Sequence, residues 1–451
     1  METGKYIAAI ELGTAKIVGI IGQKKEDGTL HVLAIEQEES SGCIKRGCIQ
    51  NVEEPASRVK KIITKLGNRT TGTIEQMYVG IGGQSVRTIN HTVRKQLPED
   101  TQVTEELIRT MHSEGRTFPV YNAEILKIVP NEYLLDNQLE THPVGIFCSD
   151  IEARLKLIVG RPSIRKNIAR CLTERCKMPV AGYIVSAQAT AAALLTEDEK
   201  NLGCALIDFG AGTTTLSIYK DNLLRYLITI PFGGRNITKD ISSLNILDSE
   251  AENLKITFGS AINNSDMQKH ELRIDGLDSS KIKYQDLCRI IEPRIEEIVE
   301  NVHEQIDVSG YADQLARGII ITGGASLLRE LPELLTQKTG MKVRRGSIPR
   351  TISFANRIEG GKPAYSQAIG LLMLGEENCI GRKISTAEPV GTATATAATA
   401  PQEQEGQKVQ KVQKVQKPKN PDNSFLKRFK NKAKDTVEKL RLFEDDDAEL
   451  I

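Results

Sequence analysis

Tryptophan is absent, aromatic residues make up only 4% of the chain, and the formal net charge is +1 across 451 residues. A balance this even excludes a molecule that grips nucleic acid or another polyanion with its whole surface. No apolar run reaches the roughly 18 residues that a membrane span needs. The Met1-Glu-Thr-Gly-Lys start has neither a basic n-region nor an apolar h-region, so no signal peptide and a cytoplasmic location are expected. The eight cysteines include no C-x-x-C pair, and several sit in apolar segments. That pattern points to reduced, buried thiols and away from zinc. The 39% of apolar residues, over this length, suits a soluble protein of two or more domains.

The most informative stretch is Ala205-Leu-Ile-Asp-Phe-Gly-Ala-Gly-Thr-Thr-Thr-Leu-Ser-Ile-Tyr219. It reads as an apolar strand ending in Asp208, a glycine turn at Gly210 and Gly212, hydroxyls at Thr213 to Thr215, and a second strand. Glycines let backbone N–H groups approach a phosphate, and the neighbouring carboxylate suits a hydrated Mg2+. An ordinary hairpin has the same outline. A second copy, Ile7-Ala-Ala-Ile-Glu-Leu-Gly-Thr-Ala-Lys-Ile-Val-Gly-Ile-Ile21, repeats the order of carboxylate (Glu11), glycine (Gly13), hydroxyl and strand, which indicates a duplicated fold.

In chain order, strands at 7–21 and 30–35, a helix over 52–66 with Glu53 and Glu54 in its first turn, and a buried strand at 77–81 give a β-β-β-α-β plan. Residues 86–159 interrupt it with polar strands and one helix and no glycine-rich loop of their own, an inserted small α+β subdomain suited to contacts. The plan resumes with an amphipathic helix over 163–176, a strand at 180–185 and an alanine-rich helix from Ser186 that carries Gln188, a polar amide able to face a cleft. After the second hairpin, Pro231-Phe-Gly-Gly234 feeds a helix. The 249–258 helix places Glu252 and Lys255 at i and i+3, a spacing that by itself suits an exposed ion pair. A long helix covers 284–308. The strand 317–322 delivers Gly323, Gly324, Ala325 and Ser326 onto a helix N-terminus, an arrangement suited to a phosphate or nucleoside. A helix over 364–374 closes the folded part.

Beyond Lys383 the composition shifts to Ala, Thr, Pro, Gln and Lys with a repeated Lys-Val-Gln triplet, which cannot bury a core and is expected to be disordered. As a flexible tether its 40 residues would span on the order of 35 Å r.m.s.. It leads to Ser424, a good N-cap, and to a helical pattern in which Phe425, Leu426, Phe429, Val437, Leu440 and Phe443 fall within an arc of about 120°. Cations including Lys427, Arg428 and Lys430 outnumber the acids of this helix. A basic amphipathic helix on a long tether, with no core to join, suits an anionic membrane surface; a protein groove is the alternative.

Taken together and in order, these motifs resemble the FtsA family of bacterial cell-division proteins, within the actin/Hsp70 ATPase superfamily. The resemblance spans about residues 5–380 and the C-terminal helix. It rests on Ile-Glu-Leu-Gly-Thr-Ala-Lys (10–16) for a first phosphate loop, Ile-Asp-Phe-Gly-Ala-Gly-Thr-Thr (207–214) for a second and Ile-Thr-Gly-Gly-Ala-Ser (321–326) for an adenosine motif. Gly42-Cys-Ile-Lys-Arg-Gly47, Pro231-Phe-Gly-Gly234 and Ala251-Glu-Asn-Leu-Lys255 resemble further family segments. The resemblance implies an actin-like ATPase fold of two duplicated lobes with the inserted subdomain: lobe 1 as 1–85 and 160–199, the insertion as 86–159, lobe 2 as 200–380 with a subdomain at about 245–310, a disordered linker at 381–423, and a membrane-targeting helix with an acidic end at 424–451.

It also implies roles. Gly13, Thr14, Ala15 and Lys16 would face Gly210, Ala211, Gly212, Thr213 and Thr214 across the phosphates of ATP, and Glu11 and Asp208 would position Mg2+ through water. Glu252 and Lys255 would meet ribose and adenine, displacing the surface-pair reading, with Gly234, Gly323, Gly324, Ala325 and Ser326 beside the nucleoside. Gln188 would orient an attacking water. The implied partners are the FtsZ C-terminal peptide, further copies of the chain in a filament, later division proteins and an anionic membrane surface at the division site, on its cytoplasmic side. Glu11 departs from the Asp usual across the superfamily. A PilM-like adaptor of type IV pili shares the lobes and the insertion, and a small-molecule kinase shares the fold but needs a carboxylate base that is not evident here.

Overall fold

The computed structural model describes residues 4–40, 42–70, 72–263, 282–355 and 361–382. The tether and amphipathic helix read from the sequence lie outside these residues, as does part of the 245–310 region. Among the described residues no helix is long and apolar enough to cross a membrane.

Two sheets organise the described chain. The first has the order Val180–Val185, Met77–Ile81, Gly4–Leu12, Lys16–Lys25, Leu30–Glu39, Ile352–Phe354. Its centre is an antiparallel meander of three strands, and Met77–Ile81 and Val180–Val185 add to it in parallel. The second sheet repeats this plan. Cys204–Phe209, Thr214–Lys220 and Leu223–Ile230 form the meander, and Ile319–Thr322 and Val343–Arg345 add in parallel. The duplication read from two hairpins therefore extends to the crossover strands.

Apolar residues set the layers. In the Glu53–Gly67 helix, Ala56, Val59, Ile62 and Leu66 share one buried face. That face lies so close to the first sheet that a Cβ on Gly19 would meet the Ile62 side chain at 2.3 Å. Across the molecule, the Ser186–Leu194 and Ser366–Leu374 helices pack on each other through small residues, as the alanine run of the former predicts. Two late strands join the first lobe. Ile352–Phe354 pairs with Leu30–Val32, and Ile380–Arg382 pairs with Gly72–Ile74. Ile352–Phe354 and Ile380–Arg382 thus pair with strands of lobe 1, whereas the sequence reading runs lobe 2 to residue 380.

The insertion forms an antiparallel sheet of Gln138–Glu140, Glu124–Leu135, Phe147–Gly160 and Arg87–Gln102, covered by the Glu105–Arg116 helix. Thr104 caps that helix by accepting from the Leu107 N–H at 3.2 Å. The insertion leaves lobe 1 in sequence, yet its sheet continues into lobe 2, where Arg87 pairs with Ile228. Beside this junction Arg225, 3% exposed, donates to Asn131 Oδ1 at 2.6 Å and Asp221 Oδ2 at 2.8 Å and pairs with Glu132.

The close helix pair yields a test. A Cβ on Gly370 would lie 1.8 Å from the carbonyl oxygen of Ala189. Gly370→Ala is expected to destabilise the fold by about 1–3 kcal/mol, as overpacking does, and to lower the melting midpoint. Gly67→Ala, at a helix end with open space around it, is expected to leave the midpoint unchanged.

Candidate functional site

Both glycine turns project into one cavity of about 180 Å³, lined by residues 11–16 from one lobe and Asp208, Gly210, Ala211, Gly212, Thr213 and Thr215 from the other. Each turn is closed the same way. The Gly13 N–H donates to the Lys16 carbonyl at 3.0 Å, and the Gly210 N–H to the Thr213 carbonyl at 2.9 Å. Ser40 anchors the first turn, its hydroxyl donating to the Gly13 carbonyl at 2.6 Å and its N–H to the Ala15 carbonyl at 2.9 Å. Gly233 and Gly234 anchor the second. Gly234 N–H donates to the Gly210 carbonyl at 3.0 Å, and a Cβ on Gly233 would sit 2.5 Å from that same oxygen. The two turns touch: a Cβ on Gly212 would lie 2.6 Å from Thr14 Oγ1.

Glu11 and Asp208 end the two central strands side by side. Burial, reinforced by the Asp208 carboxylate, pushes Glu11 up to about 8, and burial pushes Asp208 up to about 6. Glu11 Oε2 and Gln188 Oε1 are buried with no hydrogen-bond partner among the described residues. Two carboxylates raised in this way, with an orphaned oxygen between lobes, fit a hydrated Mg2+, which keeps most of its waters. Gln188 does not itself line the cavity; its helix neighbours Ser186 and Ala187 do. Lys16 lines it with its Nζ 4.0 Å from the Tyr365 ring centroid. Burial draws the Lys16 pKa down, opposed by Glu11.

The remaining residues of the sequence reading are divided between cavity and support. Thr214 turns away, donating to the Phe232 carbonyl at 3.0 Å, while Thr213 and Thr215 face the cavity, as strand alternation requires. Gly323 and Gly324 line the cavity. Gly323 has φ +86°, and a Cβ there would lie 2.3 Å from Asp208 Oδ1. Gly324–Leu327 is a 3-10 turn, and the next helix begins only at Leu331, so the expected helix N-terminus at 323–326 is displaced. Ser326 is fully buried and caps that turn, donating to the Gly323 carbonyl at 2.7 Å. Lys255 donates to Glu252 Oε2 at 2.6 Å, Thr238 Oγ1 at 2.9 Å and the Gly234 carbonyl at 3.1 Å, while a Cβ on Gly234 would touch Ala325 at 3.0 Å. Glu252, Lys255, Gly234 and Ala325 thus gather in one network behind the second turn. Sequence reasoning missed Gly47, whose N–H donates to Thr14 Oγ1 at 2.9 Å, and the cavity residues Gly80, Gly82, Gly83 and Gln367.

Two lobes of repeated topology, each presenting a glycine turn and a strand-end carboxylate to one cleft, define an actin-like ATPase fold. Comparison with solved structures agrees: the chain superposes on a protein of the PilM–PilN type IV pilus biogenesis complex with a TM-score of 0.56 at 14% identity, covering 81% of this chain and 97% of that one, a likeness of fold alone. Family models are more specific. Residues 205–370 match the model of cell division protein FtsA, and residues 83–159 match the SHS2 domain inserted in FtsA. The cell division protein FtsA of Porphyromonas gingivalis is 32% identical over 353 residues, 76% of this chain and 73% of that protein. The protein of the same name from Escherichia coli K12 is 27% identical over 83% of this chain and 91% of its own length. The chain belongs to the FtsA family of cell-division proteins.

The paired acids generate a pH prediction. Glu11 holds a proton in the folded state between its usual value of 4.5 and about 8, where the unfolded chain has lost it. Its contribution is therefore complete below pH 4.5 and is lost as pH rises toward 8. Glu11→Gln is expected to flatten this dependence, raising the melting midpoint at pH 8 and leaving it nearly unchanged at pH 5. Equal pH slopes for the two proteins would refute the assignment.

Proposed function

We propose that this chain binds ATP with Mg2+ in the cleft, polymerises on the inner membrane at the division site, anchors FtsZ filaments there and recruits later division proteins. The observation that carries the nucleotide reading is the contact of the two turns at Gly212 and Thr14 around the acid pair. Residues 13–16 and 210–213 would hold the phosphates from opposite sides, Glu11 and Asp208 would meet Mg2+ through water, and Gly323 and Gly324 would flank the nucleoside. Gln188, with its orphaned Oε1, would orient a water. When bound, the metal and nucleotide supply the positive charge and the bridge between lobes that the acid pair lacks. The protein's part is to bind, exclude solvent and hold the lobes closed, so the output is a shift in population toward an assembly-competent state.

The contact functions rest on other features. Exposed apolar side chains on the insertion, among them Tyr121 at 89% and Phe147 at 58%, suit contacts with other chains. Membrane attachment rests on the apolar arc of Phe425, Leu426, Phe429, Val437, Leu440 and Phe443 and on the flanking cations Lys427, Arg428 and Lys430.

Two experiments test this reading. Gly212→Ala is expected to weaken ATP binding by at least about tenfold, a difference of 1.4 kcal/mol, because its methyl group drives Thr14 away. Adding Thr14→Gly is expected to recover part of the loss in equilibrium binding of a fluorescent ATP analogue. In sedimentation with anionic vesicles, the full chain is expected to pellet with lipid and carry an FtsZ C-terminal peptide with it. Deleting 424–451 is expected to leave both in the supernatant; lipid binding that survived the deletion would end the anchoring proposal.

A further inference from the structure

The sequence predicts an uninterrupted amphipathic helix over 163–176, but the structure departs from it. An α-helix covers Pro162–Ala169 and then widens into a π-turn over Arg170–Arg175, where the Cys176 N–H donates to the Cys171 carbonyl at 3.1 Å. The change matters for two side chains. On an α-helix, residues five apart point about 140° away from each other, whereas the i→i+5 bond of a π-turn stacks them on one face. The two thiols accordingly perturb each other, Cys171 being pushed up and Cys176 drawn down. Cys171 is fully buried, while Cys176 is half-buried and donates to the Ala56 carbonyl at 3.4 Å. Rare π-turns of this kind are frequent at functional sites, and nothing in the nucleotide cleft requires one here.

We propose that Cys171 and Cys176, stacked by this π-turn, form a peroxide-sensitive dithiol that closes to an intramolecular disulfide. Cys176 is the attacking thiol. Cys176 is the more exposed of the two; the neighbouring Cys171 thiol, aided by Lys60, draws Cys176 below the usual thiol value despite its burial, while the Cys176 thiol and burial push Cys171 up. In the first step the Cys176 thiolate attacks one oxygen of hydrogen peroxide. An S–O bond forms, the O–O bond breaks, and the leaving hydroxide takes a proton to become water. In the second step the Cys171 sulfur, giving up its proton, attacks the sulfenyl sulfur. The S–S bond forms, the S–O bond breaks, and a second water leaves. Two thiols lose two electrons and two protons, and one peroxide becomes two waters.

The neighbourhood selects this pairing and gives it reach. Cys43 also lies beside Cys171, but its thiol is engaged with the Ser40 carbonyl at 2.7 Å. Ser40 is the residue that anchors the first glycine turn, and the helix leading into the π-turn carries Ile164 and Ile168 of the cavity wall. The dithiol therefore sits at the end of an element that walls the cleft.

The full-length protein, treated with one equivalent of hydrogen peroxide, quenched with iodoacetamide and digested with trypsin, tests the proposal. Because Arg170, Arg175 and Lys177 are cleavage sites, the disulfide would join the peptides Cys171–Arg175 and Cys176–Lys177. The expected result is loss of these two thiols alone, recovered as that cross-linked pair and reversed by dithiothreitol, with the other cysteines fully alkylated. Cys176→Ser is expected to abolish the cross-link and leave Cys171 alkylatable; its melting curve and the wild-type peptide map keep the result independent of any folding defect. Oxidation that stopped at a sulfinic acid on Cys176, a cross-link from Cys171 to Cys43, or equal loss of all thiols would overturn the proposal.

Discussion

Everything at the centre of this molecule depends on a backbone that lies too close to its neighbour to carry a side chain. Gly212 lies against Thr14 with no room for a Cβ, and that approach draws the strand-end carboxylates Glu11 and Asp208 into one buried space. Small residues make the contact possible, and electrostatics make it expensive. Burial in a poorly solvated cleft raises both pKa values, and the Asp208 charge raises Glu11 further. The glycines and the acids are thus one feature. A chain that kept the acids and lost the glycines would relieve the strain and lose the clamp.

The supports of the clamp explain the long-range course of the chain. Each turn is held by a segment distant in sequence: Ser40 and Gly47 behind the first, Gly233 and Gly234 behind the second. The pairing of Ile352–Phe354 and Ile380–Arg382 with lobe 1 flanks the Ser366–Leu374 helix, which lies against the Ser186–Leu194 helix with Gly370 on the Ala189 carbonyl. The insertion adds a third link. It springs from lobe 1 but joins the outer strand of lobe 2 through Arg87, Thr88 and the buried Arg225. An opening of the cleft has to move the insertion with lobe 2 or separate Arg225 from Asn131 and Glu132.

What the residues disclosed beforehand was whatever is local and periodic. Both hairpins, the strand Met77–Ile81 and the helix Tyr284–Val308 follow from alternation or a 3.6-residue repeat within a single window. Contacts across sequence were hidden. Nothing near Gly47 says that its N–H meets Thr14, and nothing near residue 87 says that its partner is 228. Residues 213–215 carry the same hydroxyl, so only the phase of the strand separates Thr214 from its neighbours. The π-turn at 170–175 was equally opaque, because an apolar face at Cys171 and Leu172 looks the same whether the last turn is α or π. The i, i+3 spacing of Glu252 and Lys255 did suggest an ion pair, and one is present. It is tied to Thr238 and the Gly234 carbonyl rather than standing alone in solvent.

The acid pair also argues for the kind of output this site can have. Burial makes both carboxylates harder to ionise than in water, Glu11 more so than Asp208, and Lys16 is the neighbouring cation that opposes the Glu11 shift. A divalent cation bound there, as proposed, would favour the ionised form of both, which would link its binding to release of the Glu11 proton and to the closed arrangement. Each lobe contributes one acid and one glycine turn to the cleft, so under the proposed reading neither lobe would satisfy the cation or the phosphates alone. A site divided in this way reports whether the lobes are together.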